Sequence, residues 1–464
     1  MRARRASLPV ATRQRGTLTA VTLAMFCMEA SFLALMLALP DIARSLGETP
    51  EVTQDALSAY MLSLGATFVI AGRIGDIAGR LRVFVTGCLL FTVTLIGSAL
   101  APGLPVLIAF RLLQGLGAGL MLPAGIALVT AGYAGTGRQA RALGLSFALA
   151  STGTVIGPFF GGWMAEEPGW RWIFWVLVPF TVLTVAITVR YVPESRGQTS
   201  ARRLDIPGVA MVALAVAATG TAIDRADSVG WSGLNVALLA AGLGFLALFP
   251  LRERRAAHPL IDLSIFRNLT FDLVIFLGSV CYACYAATVF VASLYLQDAR
   301  GLTAVKASAV FAIMAVLVAL AAPIGARLQS HIRPTLVMAT AGVIAGSALV
   351  LLTFATSWWE YVPVFAICGF GLGLGSSFAT IATQQAVGPG RSGETSGILL
   401  TILTTSGGIS LAAAAGIIDV FEGAGHSIEA ACNTTLRIFA FLSLAASLIA
   451  TAVMYALGRR GLIK

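Results

Sequence analysis

The chain has 464 residues, 58% of them hydrophobic and only 11% charged. A water-soluble domain spends roughly a quarter of its residues on charge to solvate its surface, so a soluble enzyme or binding domain is excluded. The net charge of +10 does not point to nucleic acid, because the basic residues fall at every second loop, a signature of membrane topology.

Fourteen apolar windows, each close to the ~20 residues that cross a bilayer core, are expected at 18–39, 52–72, 82–101, 105–131, 139–164, 171–192, 206–224, 233–251, 270–294, 304–325, 334–354, 359–384, 393–418 and 434–457. Arg2, Arg4, Arg5, Arg13 and Arg15 precede the first. A cleaved secretory signal is the competing reading there, but the window is longer than a signal's apolar region and contains Glu29. With the N terminus inside, the outer side holds six basic residues, Arg44, Arg171, Arg225, Arg300, Lys306 and Arg437. Arg111 lies within a window, and the remaining basic residues are all inside. Acidic residues lean outward. This bias predicts a multi-pass protein of the cell membrane with both termini cytoplasmic.

The windows group into a cytoplasmic tail at 1–17, a six-helix bundle at 18–192, a linker and two-helix hairpin at 193–269, a second six-helix bundle at 270–457 and a tail at 458–464. A faint repeat supports two related bundles: Gly72-Arg73-Ile74-Gly75-Asp76 follows the second window, and Ala326-Arg327-Leu328-Gln329-Ser330 follows the tenth. Duplicated bundles are a common transporter plan.

The loop after the second window continues through Ile77, Ala78, Gly79, Arg80, Leu81 and Arg82. Asp76 and Arg80 stand four apart, so a helical turn would bring them together, while Gly72 and Gly79 permit tight turning and close approach. A charge latch that holds one conformation is expected from Gly72, Asp76, Gly79, Arg80 and Arg82; an ordinary basic loop is the alternative. The fourth window carries Arg111, with Gln114 and Gly115 after it. An arginine inside a membrane helix is costly and faces a polar interior with a partner, unless it snorkels to the nearby interface. In the fifth window Gly153, Gly157 and Gly161 are four apart, giving a smooth face for close packing. Pro158 removes a backbone donor and bends the helix, and Gly162 follows.

Together these elements resemble the major facilitator superfamily: its loop motif between helices 2 and 3, its Arg-x-x-Gln-Gly motif in helix 4 and its Gly-Pro antiporter motif in helix 5. Trp170-Arg171-Trp172-Ile173-Phe174, Leu204-Asp205-Ile206-Pro207-Gly208 and Leu263-Ser264-Ile265-Phe266-Arg267-Asn268 match as well. With fourteen windows, the chain is similar to the fourteen-helix drug:proton antiporters. The resemblance implies an all-α membrane fold of two six-helix bundles with an inserted hairpin, alternating access, and proton-driven export of drug-like or antibiotic-like molecules. An exporter of another metabolite or a siderophore on the same fold is the alternative.

One departure concerns the first helix, where the family carries an Asp nine residues before the Leu-Pro end. Counting back from Pro40 gives Ser31. Glu29 stands two residues away, about 200° around the helix at ~100° per residue. An ionised carboxylate in that setting is expensive, so Glu29 is the expected proton carrier and Arg111 the expected modulator of its charge. A permanently paired structural acid is the alternative. The second loop copy has Ser330 where the first has Asp76, so the latch is expected to be one-sided.

Candidate cavity residues are Gln114, Tyr282, Tyr285, Gln297, Thr404 and Thr405, although plain packing also accounts for most of them. Asp272 is expected at the inner interface. The alternating glycines from Gly369 to Gly375 lie in an apolar window, where close helix packing explains them. The six cysteines fall mostly inside windows, and the Cys281/Cys284 pair has no second pair to complete a zinc site. Lys306 and Lys464 are the only lysines and neither closes a phosphate-binding Gly-Lys-Ser/Thr. His258, His331 and His426 are scattered. No cofactor, metal or ATP site is therefore expected, nor an enzyme; the expected partners are protons, a small-molecule cargo and the bilayer, with the chain acting as a monomer.

Overall fold

The computed structural model describes residues 9–48, 53, 55–154, 156–157, 161, 164, 169–197, 205–229, 232–256, 259, 261, 263–301, 304–328, 332–387 and 389–459. These residues form fourteen α helices: α1 (Val10–Leu46), α2 (Asp55–Ala78), α3 (Arg80–Ala99), α4 (Leu104–Gly132), α5 (Gln139–Ala150), α6 (Trp172–Tyr191), α7 (Ile206–Val229), α8 (Gly233–Glu253), α9 (Leu269–Leu294), α10 (Ala304–Leu328), α11 (Pro334–Leu352), α12 (Trp358–Val387), α13 (Ser392–Gly423) and α14 (Ile428–Arg459). Twelve are long and apolar enough to cross a membrane. The two outside that set are α5, which spans 12 residues, and α7, whose apolar stretch is the shorter Ile206–Ala222.

Several helices run past the apolar windows. α1 starts at Val10 rather than near residue 18 and includes Arg13 and Arg15, because hydropathy marks the lipid-facing length while backbone hydrogen bonding continues into the polar turns on either side. α1 ends where Gly47 adopts φ 72°, its N–H donating to the carbonyl of Ala43, a left-handed stop that glycine accepts without steric penalty.

The chain divides into two compact units. The first comprises residues 1–265 together with 387–401; the second comprises 266–386 and 402–464. Within the first unit, glycines set how closely the helices approach. A methyl group on Gly115 would meet the carbonyl of Tyr60, and one on Gly119 would fall 2.5 Å from Thr67 Cβ, so α2 and α4 touch backbone to backbone. Gly87 and Gly117 do the same for α3 and α4. Such contacts carry helix association in lipid, where no hydrophobic drive exists between apolar helices. α7 and α8 meet at Gly242 against Thr219, and α7 meets α2 through Gly220 and Leu62. In the second unit, α11 meets α14 at Gly342 and Gly346, and α12 meets α10 at Gly369 and Gly373. The glycine run of α12 therefore packs helices. All six cysteines are buried, as thiols rather than disulfides.

Candidate functional site

Arg111 projects from α4 into the first unit and is fully buried, so it does not snorkel. Its Nε donates to the Ala56 carbonyl at 3.3 Å, and its Nη1 to Gln114 Oε1 at 2.8 Å and to Ser31 Oγ at 3.4 Å. Gln114 Nε2 also donates to Ser31 Oγ, at 3.0 Å. The guanidinium lies 4.3 Å from the centre of the Tyr60 ring, which in turn stacks on Phe32 at 5.8 Å. Nη2 has no hydrogen-bond partner among the described residues. The arginine is thus held by neutral acceptors and a π face, with Ser31 standing where the family has an acid. Gln114, expected at a cavity wall, is fully buried because both ends of its amide serve this network.

Glu29 points elsewhere. Two residues along an α helix turn it about 200° from Ser31, and its side chain is exposed, while Ser31 is not. Neighbouring helices flank it. Thr22, on the same face of α1, donates to Ser146 on α5 at 3.2 Å, and Phe32 leads to Tyr60 on α2. A methyl group on Gly153 would come 3.1 Å from Glu29 Cβ. Among the described residues Glu29 has neither a hydrogen bond nor an ion pair. Arg111 does not touch it.

The α2–α3 turn forms a second constellation. Arg80 donates from Nε to Asp76 Oδ1 at 2.9 Å and pairs through Nη2 at 2.7 Å, with both side chains buried. Asp76 Oδ2 accepts from the backbone N–H of Glu394 at 3.0 Å, so it caps the start of α13, where a carboxylate meets unpaired amides and the positive end of the helix dipole. Gly72 lies against the Gly393 carbonyl with no room for a side chain. Gly79 takes φ 116°, beside the Glu194 carboxylate. Glu194 accepts from Leu81 N at 3.0 Å and reaches Arg82 at 3.8 Å. Arg80 N donates to the Ser195 carbonyl at 3.0 Å. The strap 192–197 and the start of α13 were not anticipated as partners. The signal available was Glu194 itself, an acid in a segment otherwise basic.

On the fifth window, Gly153 and Gly157 lie against α1, where added methyl groups would be 2.9 Å from the carbonyls of Phe26 and Ala30; Gly161 meets the Ala34 carbonyl. The four-residue spacing thus has one partner, the backbone of α1. Pro158 and Gly162 lie outside the described residues. In the second unit, the rings of Tyr282 and Tyr285 are 6.3 Å apart, and Tyr282 packs on α13 at Gly407, one turn from the half-buried Thr404 and Thr405. Gln297 lies in a π-helical turn, Tyr295–Ala299, that ends α9; its side chain is outside the described set. Residues 329–331, with the second loop copy's Ser330, are outside it as well.

Twelve membrane-length helices among the described residues, a buried arginine and a glycine-lined helix contact define a multi-pass membrane protein. The chain belongs to the major facilitator superfamily, whose family model matches residues 21–412. It is 31% identical to the multidrug resistance protein Stp of Mycobacterium tuberculosis over 82% of this chain and 72% of that protein. It is 30% identical to the methylenomycin A resistance protein of Streptomyces coelicolor over 72% of this chain and 70% of that one. Among solved structures, the human organic anion transporter MFSD10 (TETRAN) shares the fold with a TM-score of 0.68 at 15% identity, covering 94% of this chain and 99% of that chain.

Proposed function

We infer that this protein is a proton-coupled exporter of drug-like or antibiotic-like small molecules, working by alternating access. The observation that carries the reading is Glu29: a carboxyl in the middle of a membrane helix with no hydrogen bond or ion pair among the described residues, flanked by α2 and α5. A group in that position changes its charge when it meets water or cargo, and its cost in lipid is avoided only by taking up a proton. Relatives named for multidrug and methylenomycin A resistance support the cargo class. Export of another metabolite is the narrower alternative on the same fold.

In this account Glu29 carries the proton, and the Ser31–Gln114–Arg111 network holds a fixed positive charge on the other side of α1. Asp76, Arg80 and Arg82, with Gly72 and Gly79, form the latch. Releasing Glu394 N from Asp76 frees the start of α13, whose residues from Ile402 onward belong to the second unit. The Gly153/Gly157/Gly161 face, with Pro158 and Gly162, lets α1 shift against its neighbour as Glu29 titrates. Tyr282, Tyr285, Gln297, Thr404 and Thr405 contribute cargo contacts. The chain works as a monomer of fourteen spans, α7 and α8 forming a hairpin between bundles 18–192 and 270–457, with both termini cytoplasmic in the cell membrane. The test is ethidium movement in proteoliposomes under an imposed pH gradient without ATP. Accumulation that follows the gradient and collapses with a protonophore is expected; movement indifferent to the gradient would reject proton coupling.

A further inference from the structure

A cleft of about 590 Å³ opens on the first unit, far along α1 from its N terminus, lined by Asp41, Arg44, Ser45, Arg171 and three tryptophans, Trp170, Trp172 and Trp175. Its place along the helices puts it at the membrane boundary. Asp41 is the first charged residue of α1 after Glu29, and Arg171 immediately precedes the uncharged stretch of α6 that runs to Arg190. Of the seven tryptophans in the chain, three converge here. So do two of the six basic residues expected on the outer side, Arg44 and Arg171, although they are far apart in sequence. Outer arginines are scarce in membrane proteins, and the fold brings two of them together among indoles.

The arrangement fixes one cation for an incoming ligand. Trp170 Nε1 donates to Ser45 Oγ at 2.7 Å, and Arg171 lies over the Trp170 ring at 4.3 Å. Arg171 Nη2 donates to the Ala101 carbonyl at 3.0 Å, leaving its Nε and Nη1 without a hydrogen bond among the described residues. A stacked, immobilised guanidinium with two donors to spare matches a phosphate oxygen pair. Arg44, salt-bridged to Asp41, offers a second cation at the rim. Trp172, 49% exposed, supplies an amphipathic ring of the kind that sits at headgroup depth.

We propose that this cleft is a binding site for the phosphodiester headgroup of a membrane phospholipid, with Arg171 and Arg44 on the phosphate and Trp172 and Trp175 against the glycerol and upper acyl chain. The site is separate from the transport residues and stands without the proton-coupling account.

Hydrogen–deuterium exchange of the full chain in nanodiscs tests it at peptide resolution. The probes are phosphatidylglycerol discs against discs of digalactosyl diacylglycerol, a bilayer lipid without phosphate. Slower exchange by about threefold or more is expected for 41–48 and 169–176 in the phospholipid discs, and is lost in Arg171→Gln and halved in Arg44→Gln. Arg44→Gln alters a side chain that is 77% exposed and keeps the fold if Arg171→Gln does not. Equal exchange in the two lipids, or protection that survives in both variants, overturns the proposal. Protection restored to galactolipid discs by inorganic phosphate alone also overturns it, since the site would then take a free anion.

Discussion

The buried pair at the α2–α3 turn gives the sharpest energetic expectation. Asp76 accepts from Arg80 at 2.9 and 2.7 Å and from Glu394 N at 3.0 Å. Asp76→Asn keeps the shape and one acceptor oxygen for Glu394 N, but removes the carboxylate that balances the Arg80 charge, which is 1% exposed. Removing one member of a buried pair costs about 3–5 kcal/mol. Arg80→Gln leaves the carboxylate with the Glu394 amide and its helix terminus, a charge-assisted bond worth about 1.5–3 kcal/mol, so its cost should be smaller, about 2–3 kcal/mol. The double variant has no unbalanced charge at this turn and should lose no more than the worse single change. The cycle therefore predicts a coupling of at least about 2 kcal/mol, read from equilibrium unfolding of the purified protein in mixed micelles. Single effects that simply add, within about 0.5 kcal/mol, would refute the buried-pair reasoning.

Three further outcomes follow from the same geometry. Ser31→Ala should destabilise by about 1–3 kcal/mol, because a buried amide and guanidinium lose an acceptor; an unchanged unfolding midpoint would count against the network. Gly157→Leu should abolish accumulation of the folded protein or its transport, since even a methyl would sit 2.9 Å from the Ala30 carbonyl and 3.1 Å from its Cα; wild-type yield and transport would mean α1 is not packed there. Trp170→Phe should cost about 1 kcal/mol, from losing the bond to Ser45, with transport retained in proteoliposomes.

Much of the helical layout was legible because lipid enforces it. The windows at 82–101, 270–294 and 334–354 lie within two residues of α3, α9 and α11 at each end, where charged or proline residues stop the apolar run close to the helix end. α1, α13 and α14 extend further than hydropathy indicates, since a helix continues into polar turns without any apolar signal. Asp76 with Arg80 was readable from a spacing of four, a local property. Their partners, Glu194 and the segment from Gly390, whose carbonyl accepts from Arg80 Nη2 at 3.5 Å, to Glu394, were not, because contacts across a hundred or three hundred residues leave no periodic trace. For Arg111, spacing located the charge, but its neutral acceptors emerged only from the fold, which also buried Gln114. The opposite directions of Ser31 and Glu29 follow directly from helical geometry and were foreseeable.

Cargo-triggered proton release from the detergent-purified protein, followed with a pH indicator in weak buffer, tests the role of Glu29 most directly. The account predicts a release of about one proton per wild-type chain when ethidium is added near neutral pH, the same release from Trp170→Phe, and none from Glu29→Gln although that variant still binds the dye. Release of wild-type size from Glu29→Gln would contradict it.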